Sequence, residues 1–195
     1  MTEHSVGLAA LPGSHQEAAQ GLVDRGTADS ISLSARTLKT SIEGVDPDLL
    51  AFSQALLKEL KRRGIPFFPH CYVRSGADQD SLYAQGVSKA RAGESPHNWG
   101  MAVDLVHFGR FWNLSKKEWA VIGLIGKEVA RKRNLKIVWG GDWKFYDPAH
   151  WELKDWKARV TATMPVSFKA AFAAARARGD RVFTWKGQEY TTELA

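Results

Sequence analysis

An aspartate in the middle of an apolar strand is the feature that most narrows what this chain can become. Ala102-Val103-Asp104-Leu105-Val106-His107-Phe108 reads as a buried β-strand interrupted by Asp104. An ionised carboxylate buried alone is costly, so a divalent cation or strong hydrogen bonds must compensate. His97 stands upstream, in the loop that enters this strand, and Gly100 between them lets the backbone turn tightly. A second stretch, Trp139-Gly140-Gly141-Asp142-Trp143 followed by Asp147-Pro148-Ala149-His150-Trp151-Glu152, opens another short strand at His150. Two histidines and one carboxylate suffice to hold a catalytic zinc ion and leave a fourth position for water. If the two strands are neighbours, the three side chains converge. A plainer reading stands beside this one: a polar loop histidine, and an aspartate bonded to backbone amides.

The rest of the chain supplies a frame. Residues 1–33 are rich in Gly, Ala and Ser with weak periodicity, and read as a mobile leader with one short helix around residues 16–23. Asp46-Pro47-Asp48 supplies a cap and a first-turn proline for a helix whose Leu49, Leu50, Phe52, Leu56, Leu57 and Leu60 recur at helical spacing until Gly64 and Pro66. Residues 67–74 read as a strand, 78–85 as a short helix, 87–96 as a polar loop, and Ser115 caps a long helix ending near Arg133. Strands follow at 136–139 and 150–153. Pro165 starts an Ala-rich helix, and residues 181–192 alternate like a hairpin turning at Lys186-Gly187. The expected fold is α+β: a small antiparallel sheet carrying the candidate ligands, flanked by helices. The expected organisation is a leader (1–33), a core domain (34–158) and a C-terminal helix plus hairpin (159–195).

The order Ser95-x-His97-x-x-Gly100-x-Ala102-x-Asp104 resembles the first zinc motif of the M15 peptidases, the D-alanyl-D-alanine carboxypeptidase and L-alanyl-D-glutamate endopeptidase family. Trp139-Gly140-Gly141-Asp142-Trp143 with Asp147-x-x-His150-Trp151 resembles the second, especially in the bacteriophage endolysin-like branch. Tyr72-Val73-Arg74-Ser75 and Leu82-Tyr83-Ala84-Gln85-Gly86 also resemble that branch, and similarity runs from about Ser34 to Trp156. The resemblance implies that His97, Asp104 and His150 ligate Zn2+ and that Asp147 is the catalytic carboxylate. It implies further that Arg74 stabilises the developing oxyanion and that Ser95 and Gln85 contact substrate. The implied substrate is the peptidoglycan stem peptide. The implied setting is a phage or prophage lysis enzyme, released with a holin or carried in a virion. The chain departs from the family pattern at Val87-Ser88-Lys89, where members often carry arginine and a longer loop.

Composition bounds the alternatives. With 195 residues, 44% hydrophobic and 25% charged, the chain can bury one core and is not disordered as a whole. Its eight Trp, several of them between Trp99 and Trp156, suit a core beside a binding cleft. The net charge of +6 favours anionic partners, but the basic residues are scattered over helix-like stretches and read as solvated faces rather than a nucleic-acid groove. The single cysteine, Cys71, lies in an apolar run and reads as a buried structural thiol, and His70 as a core histidine. His107, three residues past Asp104, falls on the opposite strand face and is excluded as a ligand. Asp142 reads as a loop anchor, Glu152 as either a support for the metal or an ion-pair partner, and Trp99 and Trp151 as core residues that could also line the cleft. The N-terminus lacks a basic region followed by an apolar core, and no apolar stretch approaches the roughly 20 residues of a membrane span. Synthesis in the cytoplasm is therefore expected. A D,D-carboxypeptidase and a zinc-binding module without catalysis remain the competing functions.

Overall fold

In the computed structural model, residues 13–30, 41–163, 168–185 and 188–193 are described. Four strands build one sheet: β1 (Phe67–Cys71), β2 (Ala102–His107), β3 (Ile137–Trp139) and β4 (His150–Leu153), in the order β1-β2-β4-β3, with every neighbouring pair antiparallel. The helices are α1 (Gly13–Gly21), α2 (Arg25–Ser30), α3 (Pro47–Arg62), α4 (Gly76–Ala84), α5 (Lys116–Lys132), α6 (Trp156–Thr163) and α7 (Phe168–Arg178). A second, two-stranded sheet pairs β5 (Val182–Trp185) with β6 (Gln188–Thr191). The fold is the small antiparallel sheet flanked by helices that the strand pattern predicts. Among the described residues no helix is long and apolar enough to cross a membrane.

Local chemistry sets the two principal helices. Asp46 accepts the Asp48 amide with Pro47 in the first turn of α3, and Gly64, at φ 75°, follows its end. Ser115 and Glu118 cap α5 reciprocally: the serine hydroxyl accepts the Glu118 amide and the glutamate accepts the Ser115 amide. These helices cover one face of the sheet. On that face Val103, Trp151 and Trp139 lie opposite one another across β2, β4 and β3. Trp151 packs on Phe52 of α3 with ring centroids 5.1 Å apart. A Cβ built on Gly126 of α5 would stand 2.1 Å from the Trp151 ring, and one on Gly123 2.3 Å from Trp139. Those glycines let α5 sit directly on the indoles.

Strand alternation sends the intervening residues to the other face. Cys71, Asp104 and His150 are cross-strand partners over β1, β2 and β4, so they line up in one row there. A bulge between Pro69 and Cys71 sets the β1 end of that row. The strand expected over 67–74 therefore ends at Cys71.

The structure departs from the sequence reading at both ends. Ala19 and Leu22 are buried in the main core, so the segment around α1 is packed where a mobile leader was expected; residues 1–12 and 31–40 lie outside the described residues. Helix α6 runs through the expected boundary near 158, and its Trp156 and Val160 belong to the main core. Helix α7 and the hairpin form their own cluster of Ala171, Ala175 and Phe183. The expected helix start at Pro165 and the hairpin turn at Lys186-Gly187 lie outside the described residues.

Candidate active site

The site begins with the turn that aims His97. Ser95 accepts the His97 amide and opens a short 3-10 turn, Pro96–Trp99, which Gly100 ends at φ 65°. No other residue fits at Gly100, because an added Cβ would stand 2.0 Å from the Gly44 carbonyl oxygen. The His97 ring is buried, and its Nδ1–H donates to the Tyr72 carbonyl oxygen at 2.9 Å. A carbonyl can only accept, so Nε2 carries the lone pair. His150 is fixed in the mirror sense: its Nε2–H donates to Glu152 Oε2 at 3.1 Å, leaving Nδ1 as the acceptor.

These two lone pairs meet Asp104. His97 Nε2 and His150 Nδ1 are 3.2 Å apart, His150 Nδ1 and Asp104 Oδ1 3.2 Å, and His97 Nε2 and Asp104 Oδ1 3.3 Å. Three acceptors in so small a triangle require a positive charge between them. Zinc at about 2.0–2.1 Å from each of four tetrahedral ligands would space them by about 3.3 Å, so the residues fit the ion. The same demand appears in their titration. Burial pulls His97 down, but the adjacent Asp104 carboxylate outweighs it and holds the imidazole up at about 10. Burial likewise opposes ionisation of Asp104, yet His97 and His150 keep its carboxyl well below the usual range.

Cys71 is half-buried rather than an inert core thiol: donor atoms of Cys71, His97 and Asp104 all lie within 4.8 Å of one another. His150 closes the tighter triangle, and Glu152 fixes its orientation.

Above the triangle lies a cavity of about 580 Å³ whose lining includes Arg74, Ser95, Asp147 and Glu152. The backbone places Asp147 there: its amide donates to the Gly140 carbonyl oxygen at 3.1 Å, and its own carbonyl oxygen accepts the His150 amide at 3.2 Å. A Cβ on Gly140 would stand 2.3 Å from the Asp147 carbonyl oxygen, so this close turn needs glycine. Burial, followed by the negative charge of Asp104, raises the Asp147 carboxyl above its ordinary value. Arg74 reaches Asp104 Oδ2 at 3.4 Å and donates to Gln79 Oε1 at 2.9 Å.

Gln79 is the residue that the sequence reading passed over. It is fully buried, and its Nε2 donates to Ser88 Oγ at 2.8 Å and to the Ala90 carbonyl oxygen at 2.7 Å. It therefore ties Arg74 to the cavity wall. The only signal was a glutamine on a short helix five residues past the arginine. Gln85, by contrast, ends α4 in an exposed position, bonds Ser81 Oγ at 3.0 Å and does not line the cavity. His70 is exposed and edges onto Trp112 at 4.7 Å, and both line the cavity, against the expectation of a core histidine. Trp151 is core and Trp99 is half-buried away from the cleft; Trp112, Trp143, Phe145 and Tyr146 supply its aromatic lining instead. His107 sits on the opposite face and accepts the Gly109 amide, and Asp142 pairs with Lys127 at 2.7 Å.

Known proteins resemble this chain in sequence and fold. Residues 88–153 match the M15 peptidase profile described as D-alanyl-D-alanine carboxypeptidase. The peptidoglycan L-alanyl-D-glutamate endopeptidase CwlK of Bacillus subtilis is 36% identical over 100 residues, covering 41% of this chain. The match spans only 56% of that relative's length. The crystal structure of the Serratia marcescens L-Ala D-Glu endopeptidase ChiX superposes with a TM-score of 0.51 at 28% identity, over 64% of this chain and 91% of that one. Fold, motif-bearing segment and these relatives agree in likening the chain to the M15 peptidases, with the profile match confined to residues 88–153.

Proposed function

We propose that this protein is a zinc-dependent peptidoglycan endopeptidase that hydrolyses the L-alanyl-D-glutamate bond of the stem peptide. One observation carries the reading: His97, Asp104 and His150 present three acceptor atoms 3.2–3.3 Å apart at the floor of a cleft that also holds Asp147 and Arg74. A zinc ion held there supplies Lewis-acid polarisation and brings the pKa of water toward neutrality. Asp147 takes the proton of the attacking water and returns it to the leaving amine, which its partly buried carboxylate is placed to do. Arg74, held by Gln79, offers a fixed guanidinium to the oxyanion that develops on the scissile carbonyl. Ser95 holds the His97 turn and also faces the cleft, where it contacts substrate; Gln85 has no place in this scheme.

The names of both relatives support the L-alanyl-D-glutamate bond. The profile description favours a second reading, removal of a terminal D-alanine by the same residues. Likeness of the Trp139–Trp143 and Asp147–Trp151 segments to the endolysin-like branch supports a phage or prophage lysis role, with release through a holin or carriage in a virion. Mass spectrometry of digested peptidoglycan, before and after zinc removal, decides the bond. New L-Ala carboxyl termini and D-Glu amino termini, lost on chelation and restored by zinc, are the expected products. Release of single D-Ala would select the carboxypeptidase, and no cleavage by zinc-loaded protein across several wall types would leave a binding module.

A further inference from the structure

Residues 87–90 line the cleft together with Trp143, Phe145, Tyr146 and Asp147. Two basic side chains line it, Arg74 and Lys89. Arg74 is already engaged by Gln79 and Asp104. Lys89 forms no ion pair among the described residues; its ammonium lies over the Phe145 ring, 5.9 Å from the centroid. That contact joins Lys89 to a residue two positions before Asp147. The lysine charge therefore sits toward the segment that bears the proposed proton donor to the leaving amine.

The leaving residue has a distinctive chemistry. In a stem peptide D-glutamate continues through its γ-carboxyl, so its free α-carboxylate hangs on the carbon that carries the scissile nitrogen. A cation on the leaving-group side of the cleft is placed to meet that anion. The rings of Trp143, Phe145 and Tyr146 line the same cleft. Lys89 also stands in the segment where the chain departs from the usual family pattern.

We infer that Lys89 is a specificity-determining residue that pairs with the α-carboxylate of the residue on the amine side of the scissile bond, an inference resting on the L-alanyl-D-glutamate reading above. Amidation of that carboxylate to D-isoglutamine removes the anionic partner and leaves the scissile bond unchanged.

The test pairs two soluble peptides, N-acetyl-L-alanyl-γ-D-glutamyl-L-lysine and its D-isoglutamine counterpart, with the zinc-loaded full chain, Lys89→Gln and Lys89→Arg. The wild type is expected to favour the acid in kcat/KM by about five-fold, mainly through KM, as suits one partly exposed ion pair. Lys89→Gln should bring the acid down to the amide's value without changing the amide, and Lys89→Arg should restore the preference. Added salt should narrow the gap in the wild type and leave Lys89→Gln unmoved. Equal cleavage of the two peptides by the wild type, or an equal loss on both in Lys89→Gln, would overturn the inference and leave the endopeptidase reading intact. Cleavage of neither peptide by the wild type would overturn that reading, and this inference with it.

Discussion

Asp147 and Glu152 flank the same histidine, yet the structure gives them different duties. Glu152 accepts the His150 Nε2–H and so fixes which nitrogen faces the metal position. Asp147 instead lines the cavity, in a place suited to proton transfer. Asp147→Asn should lower kcat by about 10²–10⁴-fold with zinc stoichiometry unchanged, measured by turnover alongside metal analysis. Glu152→Ala should weaken zinc binding by about ten- to a hundred-fold in a chelator competition, because His150 loses its orienting partner. The contrast shows what sequence carries at this scale. His97, Asp104 and His150 were legible because a carboxylate in an apolar strand needs explaining and two histidines stood nearby. Gln79 was not, since its value lies in Arg74, Ser88 and Ala90 converging on one buried amide. Nor was the exposure of His70, which the bulge beside Pro69 decides.

Strands and helices were the most readable elements wherever their signals were local. Asp46-Pro47 and Ser115-x-x-Glu118 announce helices that the structure caps with those side chains, and alternation in β2 separates the core-facing Val103 from Asp104. Helix α1 was legible only as a short helix in an expected mobile leader, because its packing depends on α5, far along the chain. The 3-10 turn at Pro96–Trp99 is too short for any periodicity. Two predictions belong here. Gly126→Ala should cost about 1–3 kcal/mol in urea unfolding, because the added methyl meets the Trp151 ring across a fully packed contact. Glu118, held by Arg110 against the opposing effect of burial and helped by Ser115, has its carboxyl lowered to about 2. Its folded value lies below the unfolded one of about 4.3, so its contribution is complete above that value and fades as pH falls toward 2. The stability gap between wild type and Glu118→Gln should therefore be constant above about pH 5 and close on acidification, as read by denaturant titration at each pH.

The whole molecule adds charge to geometry. Its net +6 is spread over the surface, and the long helix α5 carries basic residues in its last turn. Such a surface should concentrate the protein on an anionic cell wall. Lysis of intact sacculi should accordingly fall with added salt much more steeply than cleavage of a short uncharged peptide, compared by turbidity and chromatography. The sequence already showed this scatter, with basic residues distributed over helix-like stretches. The packing of α6 into the main core, and the separate cluster of α7 with the hairpin, emerge only from contacts between distant segments.

The triangle of His97, Asp104 and His150 also has a consequence for folding. Its ligand atoms come from positions 46 and 53 residues apart, so an ion bound there closes long loops in the manner of a reversible cross-link. Metal affinity and fold stability then become linked quantities, each raising the other by the same free energy. An ion bound there would thereby act as a clasp on the sheet, joining β4 to β2 and to the turn that bears His97.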